Sequence, residues 1–179
     1  MSAISTTPEL FYVIRTERLA LRRFVLADAP FILELLNEPG WLRFIGDKGV
    51  RSLIDARRYL EQGPLDMYAR LGFGMYLVER RNDAIPVGMC GLIKRDALED
   101  VDIGFAFLER HTRCGYAREA ATAVIEHARE LGLKRLLAIT TQDNHASQRL
   151  LAKVGLQFAR EITMPNDTEV LRLFSMNLD

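Results

Sequence analysis

The chain has little cysteine: Cys90 and Cys114 alone, in 179 residues, at no metal-ligand or redox spacing. That excludes a disulfide framework and gives no reason to expect a metal, and it fits a reducing, cytoplasmic setting. Charge of one sign is also missing, because lysine plus arginine equals aspartate plus glutamate at 24 each. No basic field invites nucleic acid and no acidic tail points to disorder, so any cationic site must be local. Long apolar runs are absent, and the opening MSAISTTPELFYVI lacks the basic start and apolar stretch of a leader. No membrane partner is expected. There is no repeat, linker or low-complexity segment. One domain over residues 1–179 is predicted, long enough to bury a core without staples, with the small, polar, proline-ended residues 1 to 8 as a mobile tail.

What is present is organised around Asp102 to Ala120, DIGFAFLERHTRCGYAREA. Ile103, Phe105 and Phe107 alternate with Asp102, Gly104 and Ala106 as a strand does. From Tyr116 the apolar positions switch to helical spacing at Ala117, Ala121, Val124, Ile125 and Ala128. The turn between them falls near Arg113-Cys114-Gly115. A helix starting straight after a strand presents unpaired N–H groups at the positive end of its dipole, which is an anion site, most simply for a phosphate.

The rest of the chain reads in order as follows. Arg18 to Phe24 alternates apolar and basic residues like an edge or half-exposed strand. Asp28 has the character of an N-cap, followed by a helix that Pro39-Gly40 ends. Trp41 to Gly49 is a loop or a short helix, either folded over the core or forming a wall of a substrate pocket. Ser52 to Asp55 has the form of a capping box for a second helix that ends near Gly63-Pro64. Phe73 to Glu79 and Val87 to Lys94 read as a strand pair, with Gly88 and Gly91 marking a bulge or a close backbone approach. With the organising strand they make an antiparallel meander. A helix to Gly132, a strand over Lys134 to Thr141, a helix from Asn144 to Gly155, and a strand pair, Leu156 to Arg160 and Val170 to Asn177, complete the pattern.

Two stretches carry a resemblance. Gly115-Tyr116-Ala117 fits the end of Q/R-x-x-G-x-G/A, the pyrophosphate loop of GNAT-type N-acetyltransferases, and DNHASQRLLAKVGLQF resembles that family's second landmark, N-x-x-S-x-x-L-x-x-x-G-F. Asp102 to Ala120 resembles the ribosomal-protein amino-terminal (Rim-type) branch, which reads like E-I-G-Y-x-L, six variable residues, G-K-G-Y-A-x-E-A. The run TERLALRRFVLADAPFILELLNEP is similar to that branch's first strand and helix. Departures are Thr112 for a Gln or Arg, Arg113 for a common Gly, Cys114 for a Lys or Gly, and Leu156 for a Phe.

The resemblance implies an α/β (α+β) fold: a central, mostly antiparallel twisted sheet with flanking helices and a splayed strand pair holding coenzyme A. It also implies direct transfer of an acetyl group from acetyl-coenzyme A to a primary amine, on a peptide amino terminus or a small molecule. By alignment, backbone groups of Phe105 and Phe107 contact the pantetheine, and Arg113, Gly115, Tyr116, Ala117 and Arg118 surround the pyrophosphate. Asn144 bonds the pantetheine or, on the residue's own preference, simply caps its helix. Ser147 faces the thioester sulfur. Many members carry a tyrosine acid seven residues after this asparagine; here the position is Leu151, and Ser147 is the nearest hydroxyl to replace it. Asp102, where the family often has Glu, is the candidate for relaying the proton off the amine, with a purely structural aspartate as the equal alternative. Cys114, if exposed beside coenzyme A, would form a mixed disulfide with it on oxidation.

Two other readings stay open at this stage. The first is an acyl-coenzyme A-binding sensor without turnover, which the missing tyrosine favours. The second is an unrelated nucleotide-binding protein, disfavoured because no Walker lysine and no G-x-G-x-x-G is present. Exposed sheet edges make a homodimer an expectation.

Overall fold

The run from Arg18 to Phe24 is an interior strand, not the edge or half-exposed one its alternation suggests. In the computed structural model, which describes residues 10–179, β1 (Tyr12–Arg15) takes the edge and pairs with β2 (Leu19–Arg22), which is buried over its whole length. The arginine in β2 is buried because it is paired. Arg22 meets Asp28 and Glu79, and Tyr12 donates to the same Glu79 at 2.6 Å. The tail expected for residues 1 to 8 lies outside the described residues.

Asp28 does not cap the helix that follows. Its carboxylate turns back to accept from Val25 N–H and from Arg22, so α1 (Ala29–Leu35) starts without a side-chain cap, with Pro30 in its first turn. Pro39-Gly40 does not merely end a helix either: Pro39 occupies the first turn of α2 (Pro39–Phe44), where its missing N–H costs nothing. The capping residue Ser52 does open α3 (Leu53–Leu60), accepting from Asp55 N–H at 3.1 Å. Helical backbone then runs past the expected stop. One π turn over Glu61–Leu65 takes up the absent donor of Pro64, and α4 (Asp66–Leu71) continues to Gly72.

The meander follows as β3 (Met75–Arg80), β4 (Pro86–Ile93) and β5 (Asp102–Phe107). At Gly91 a Cβ would sit 2.3 Å from the carbonyl oxygen of Gly74, so the close approach expected of the strand glycines is real there. Next come α5 (Tyr116–Glu130), β6 (Arg135–Thr141), α6 (His145–Lys153), β7 (Gln157–Thr163) and β8 (Val170–Asn177). The sheet has eight strands in the order β1-β2-β3-β4-β5-β6-β8-β7. Every neighbouring pair is antiparallel except β5 and β6. Helices α5 and α6 bury Ala121, Val124, Ile125 and Leu151 against one face. Helices α1 to α3 bury Ile32, Leu35, Trp41 and Leu60 against the other, over β3 and β4.

Candidate functional site

β5 and β6 touch at one register position, Asp102 beside Leu137, and then part. Backbone direction decides what this leaves exposed. Leu137 N–H donates to Val101 O at 2.9 Å, whereas Leu108 N–H donates to Val87 O on β4. Along β5 the even-numbered residues therefore bond to β4, and the odd-numbered ones face β6. Beyond the junction, the backbone groups of Phe105 and Phe107 point into the gap. On β6, Ile139 does the same from the opposite side. The gap thus has the shape of a missing strand, lined by donors and acceptors without a ladder partner among the described residues.

At the open end of the gap both following helices begin. Gly115 precedes α5 with φ +81°, a conformation that L side chains rarely adopt, and Arg113 also stands in the left-handed region at φ +60°. The first α5 N–H to find a partner is that of Glu119, donating to Gly115 O at 3.1 Å. The N–H groups of Tyr116, Ala117 and Arg118 before it have no partner among the described residues. A run of free N–H donors at the positive end of a 15-residue helix is an anion cradle. Arg113, Cys114, Gly115 and Arg118 are exposed around it, and Tyr116 and Ala117 are half-buried.

Asn144 caps α6: its Oδ1 accepts from Ser147 N–H at 3.1 Å, and its Nδ2 has no partner among the described residues. Gln148 secures the turn before α6 by donating to the carbonyls of Thr141 and Gln142. Ser147 Oγ has no partner among the described residues, and Leu151 faces the core at 1% exposure. Ser147 and Asp102 do not meet. Leu151, one helical turn past Ser147, packs with α5, so Ser147 lies on the α5–α6 side of the sheet. Asp102 shares the face of Gly104, where a Cβ would meet Met75 and Ile93, under α1 and α3.

Asp102 is buried at the closed end of the gap and bonded by Arg95 Nε at 3.1 and 3.3 Å. Burial pushes its carboxyl up to about 6, against the opposing pull of Arg95. On the α1–α3 side, Arg43 of α2 reaches Asp143 in the β6–α6 turn at 3.1 Å, and Thr141 Oγ1 holds that same carboxylate at 2.9 Å. His111, just before the loop, has a sealed Nε2 without a partner among the described residues; burial, and then the nearby Arg110 and Arg80, hold its imidazole below the usual histidine value.

Arg18, Thr16 and Glu119 join the site without a local sequence signal for it. Thr16 Oγ1 and Arg18 N–H donate to Glu119 Oε1 at 2.6 and 2.9 Å, Arg18 Nε donates to Glu119 Oε2 at 2.7 Å, and Arg18 Nη1 donates to Cys114 O at 2.9 Å. The guanidinium carbon lies 4.8 Å from the centre of the Tyr116 ring. Arg18 and Glu119 both fall inside the stretches that carry the family resemblance, but nothing in a linear pattern says that positions 101 apart are bonded.

A family model described as an acetyltransferase (GNAT) domain matches residues 18–157. The chain belongs to the GNAT acetyltransferase family. Among curated relatives, the uncharacterized N-acetyltransferase YoaA of Bacillus subtilis (strain 168) is 28% identical over 150 residues, covering 83% of this chain and 84% of that protein. YnaD of the same organism, also named as an uncharacterized N-acetyltransferase, is 26% identical over 145 residues, 80% of this chain and 82% of that one. Among solved structures, a GNAT-family acetyltransferase from Bacillus anthracis superposes with a TM-score of 0.77 at 22% identity, covering 94% of this chain and 99% of that one. RimL, the ribosomal L7/L12 α-N-protein acetyltransferase, in a complex with coenzyme A that includes a disulfide, superposes at 0.78 with 17% identity, covering 93% and 97%. These two speak for the fold.

GNAT acetyltransferases take their acetyl group from acetyl-coenzyme A, and the GNAT domain described here has groups suited to it. The unpaired N–H groups before Glu119 match a pyrophosphate, and the free edges of β5 and β6 match an amide-bearing arm. Among the described residues no cluster of His, Cys, Asp or Glu could hold a metal ion.

Proposed function

We propose that this GNAT protein transfers the acetyl group to a primary amine, on a peptide amino terminus or a small molecule. The observation that carries the reading is the parting of β5 from β6 at Asp102, with the N-termini of α5 and α6 both at the open end. Bound acetyl-coenzyme A supplies the activated thioester; the chain supplies position and proton handling. The loop backbone from Gly115 to Arg118 binds the pyrophosphate, with Arg113 and Arg118 as cationic neighbours. The backbone of Phe105 and Phe107 and the Nδ2 of Asn144 orient the pantetheine. Ser147 Oγ hydrogen-bonds the sulfur from the α5–α6 side.

The amine approaches from the other face of the sheet, where Asp102 lies. A carboxyl near 6 is ionised at neutral pH, yet basic enough to take a proton relayed by water. An α-amine with a reference pKa of roughly 7.7–8.0 is partly neutral there, while lysine near roughly 10.4 is not, so a buried, indirect base suits an amino terminus or a low-pKa amine. The likeness to RimL, named for α-N-acetylation of a ribosomal protein, supports the same class. The implied partner is the acceptor; a second copy, if one pairs, has the exposed edge β7 available.

The test is calorimetric titration with acetyl-coenzyme A, followed by thiol release against amino-terminal peptides, lysine peptides, polyamines and aminoglycosides. Binding with release on an amine supports the reading. Buried Leu151, where many members place an acid, favours a second reading, an acyl-coenzyme A sensor, and binding without release on any amine would select it.

A further inference from the structure

Glu119 creates a problem for an anion cradle. It lies in the first turn of α5, so its negative charge competes with any incoming phosphate for the positive end of the helix. The structure answers this with residues from the start of the chain. Three donors, Thr16 Oγ1, Arg18 N–H and Arg18 Nε, occupy both carboxylate oxygens, and the same guanidinium reaches on to the carbonyl of Cys114 inside the loop. A Cβ on Gly115 would lie 3.2 Å from Arg18 Nη2, so the side chain spans the loop at its left-handed turn.

The turn that offers Arg18 is itself held. Arg81, from the β3–β4 turn, donates from Nη1 to Thr16 O at 2.6 Å and from its backbone to Arg18 O at 2.9 Å. Clefts of about 500 and 520 Å³ border Arg18 on two sides, one lined by Arg80, Arg81 and Tyr116, the other by Gly115, Arg118 and Thr122. The loop is therefore tied to the β1–β2 turn by polar bonds across open clefts.

We infer that Arg18 is a positioning residue for the donor's pyrophosphate: it cancels the charge of Glu119 and fixes the Cys114–Gly115 backbone, so that the α5 N–H groups stay aimed at the anion. This deepens the transferase reading and rests on it. The residue acts through the loop and does not touch the reacting atoms.

The experiment compares kcat/KM for acetyl-coenzyme A with kcat/KM for S-acetyl-pantetheine, which has no pyrophosphate, in wild type, R18A and R18A/E119Q. The ratio of the two is expected to fall by about 10-fold in R18A, the scale of a hydrogen bond to a charged group, and to recover at least in part when Glu119 loses its charge. Arg18 acting only as a structural strut would lower both donors alike and leave the ratio within twofold of wild type. That result, or a double variant no better than R18A, overturns the inference. Should R18A not fold, R18K, which keeps the charge but cannot span Glu119 and Cys114 together, is read by the same ratio, with a fall expected and an unchanged value overturning. A wild-type protein that uses neither donor fails earlier, and overturns the transferase reading itself.

Discussion

Arg22 lies bidentate on Asp28, with both bonds at 2.9 Å and both side chains nearly sealed from water, while its Nε reaches Glu79 at 3.1 Å. One cation thus holds two carboxylates between β2, β3 and the turn into α1. Removing it in R22A leaves both acids buried and uncompensated, so a loss of about 3–5 kcal/mol is expected by urea denaturation. A loss under about 1 kcal/mol would mean that water reaches the site.

Arg113 holds a left-handed backbone that glycine adopts without strain. R113G should raise stability by up to about 1 kcal/mol by relieving that strain. If its guanidinium also meets the pyrophosphate, the dissociation constant for coenzyme A should rise severalfold in the same variant. Thermal melts with and without coenzyme A separate the two effects.

Gly115 tests the cradle from the backbone side. With φ at +81° and Arg18 Nη2 3.2 Å from the site of a Cβ, G115A must shift either the turn or the guanidinium. Affinity for acetyl-coenzyme A measured by calorimetry is expected to fall about 10-fold or more, with the far-ultraviolet spectrum unchanged. Unaltered affinity would show that the loop backbone is not what holds the anion.

The Asp102 carboxyl, lifted by burial to about 6, must be ionised to act as a base. Activity should therefore rise with pH through about 6 and level off above it. D102N should remove that limb and lower kcat by roughly 10²-fold or more. A D102N enzyme with the wild-type profile would leave Asp102 as a structural partner of Arg95.

His127 is half-buried in α5 beside Tyr76, and burial holds its imidazole below the usual value, with Glu130 opposing. The folded state prefers it neutral and the unfolded chain binds the proton more readily. Its contribution is complete above roughly pH 6.5 and is lost as pH falls towards the lower folded value. The H127Q variant should show a flatter decline of melting temperature between about pH 7 and pH 5.

Much of this was legible in the sequence, for identifiable reasons. Alternation at 102–107, helical spacing after Tyr116 and the side chain of Ser52 are local signals, and each marks an element that exists. Pro39 and Pro64 misled because proline also starts helices and can be absorbed by a π turn. β2 reads as an edge because Arg22 and the flanking Arg18 and Arg23 suggest solvent; the partners that let Arg22 be buried lie at positions 28 and 79, and the four residues of β1 ahead of it are too short a run to carry a pattern. At the site, the loop is marked by the switch from strand to helix spacing and Asn144 by its capping preference and the family resemblance, whereas the Arg18–Glu119 bond, the burial of Asp102 under Arg95 and the Arg43–Asp143 link depend on tertiary folding.

The lone junction of Asp102 with Leu137 also has a mechanical meaning. Strands β1 to β5 form one plate and β6, β8 and β7 another, and where β5 and β6 diverge the plates share no ladder. The seam is a zipper closed at its first tooth, and a ligand arm laid along it would supply the rest. Amide hydrogens of Phe105 and Ile139 should exchange quickly in the free protein and slow when the groove is filled, so the cosubstrate would stiffen the whole sheet and not merely its own site.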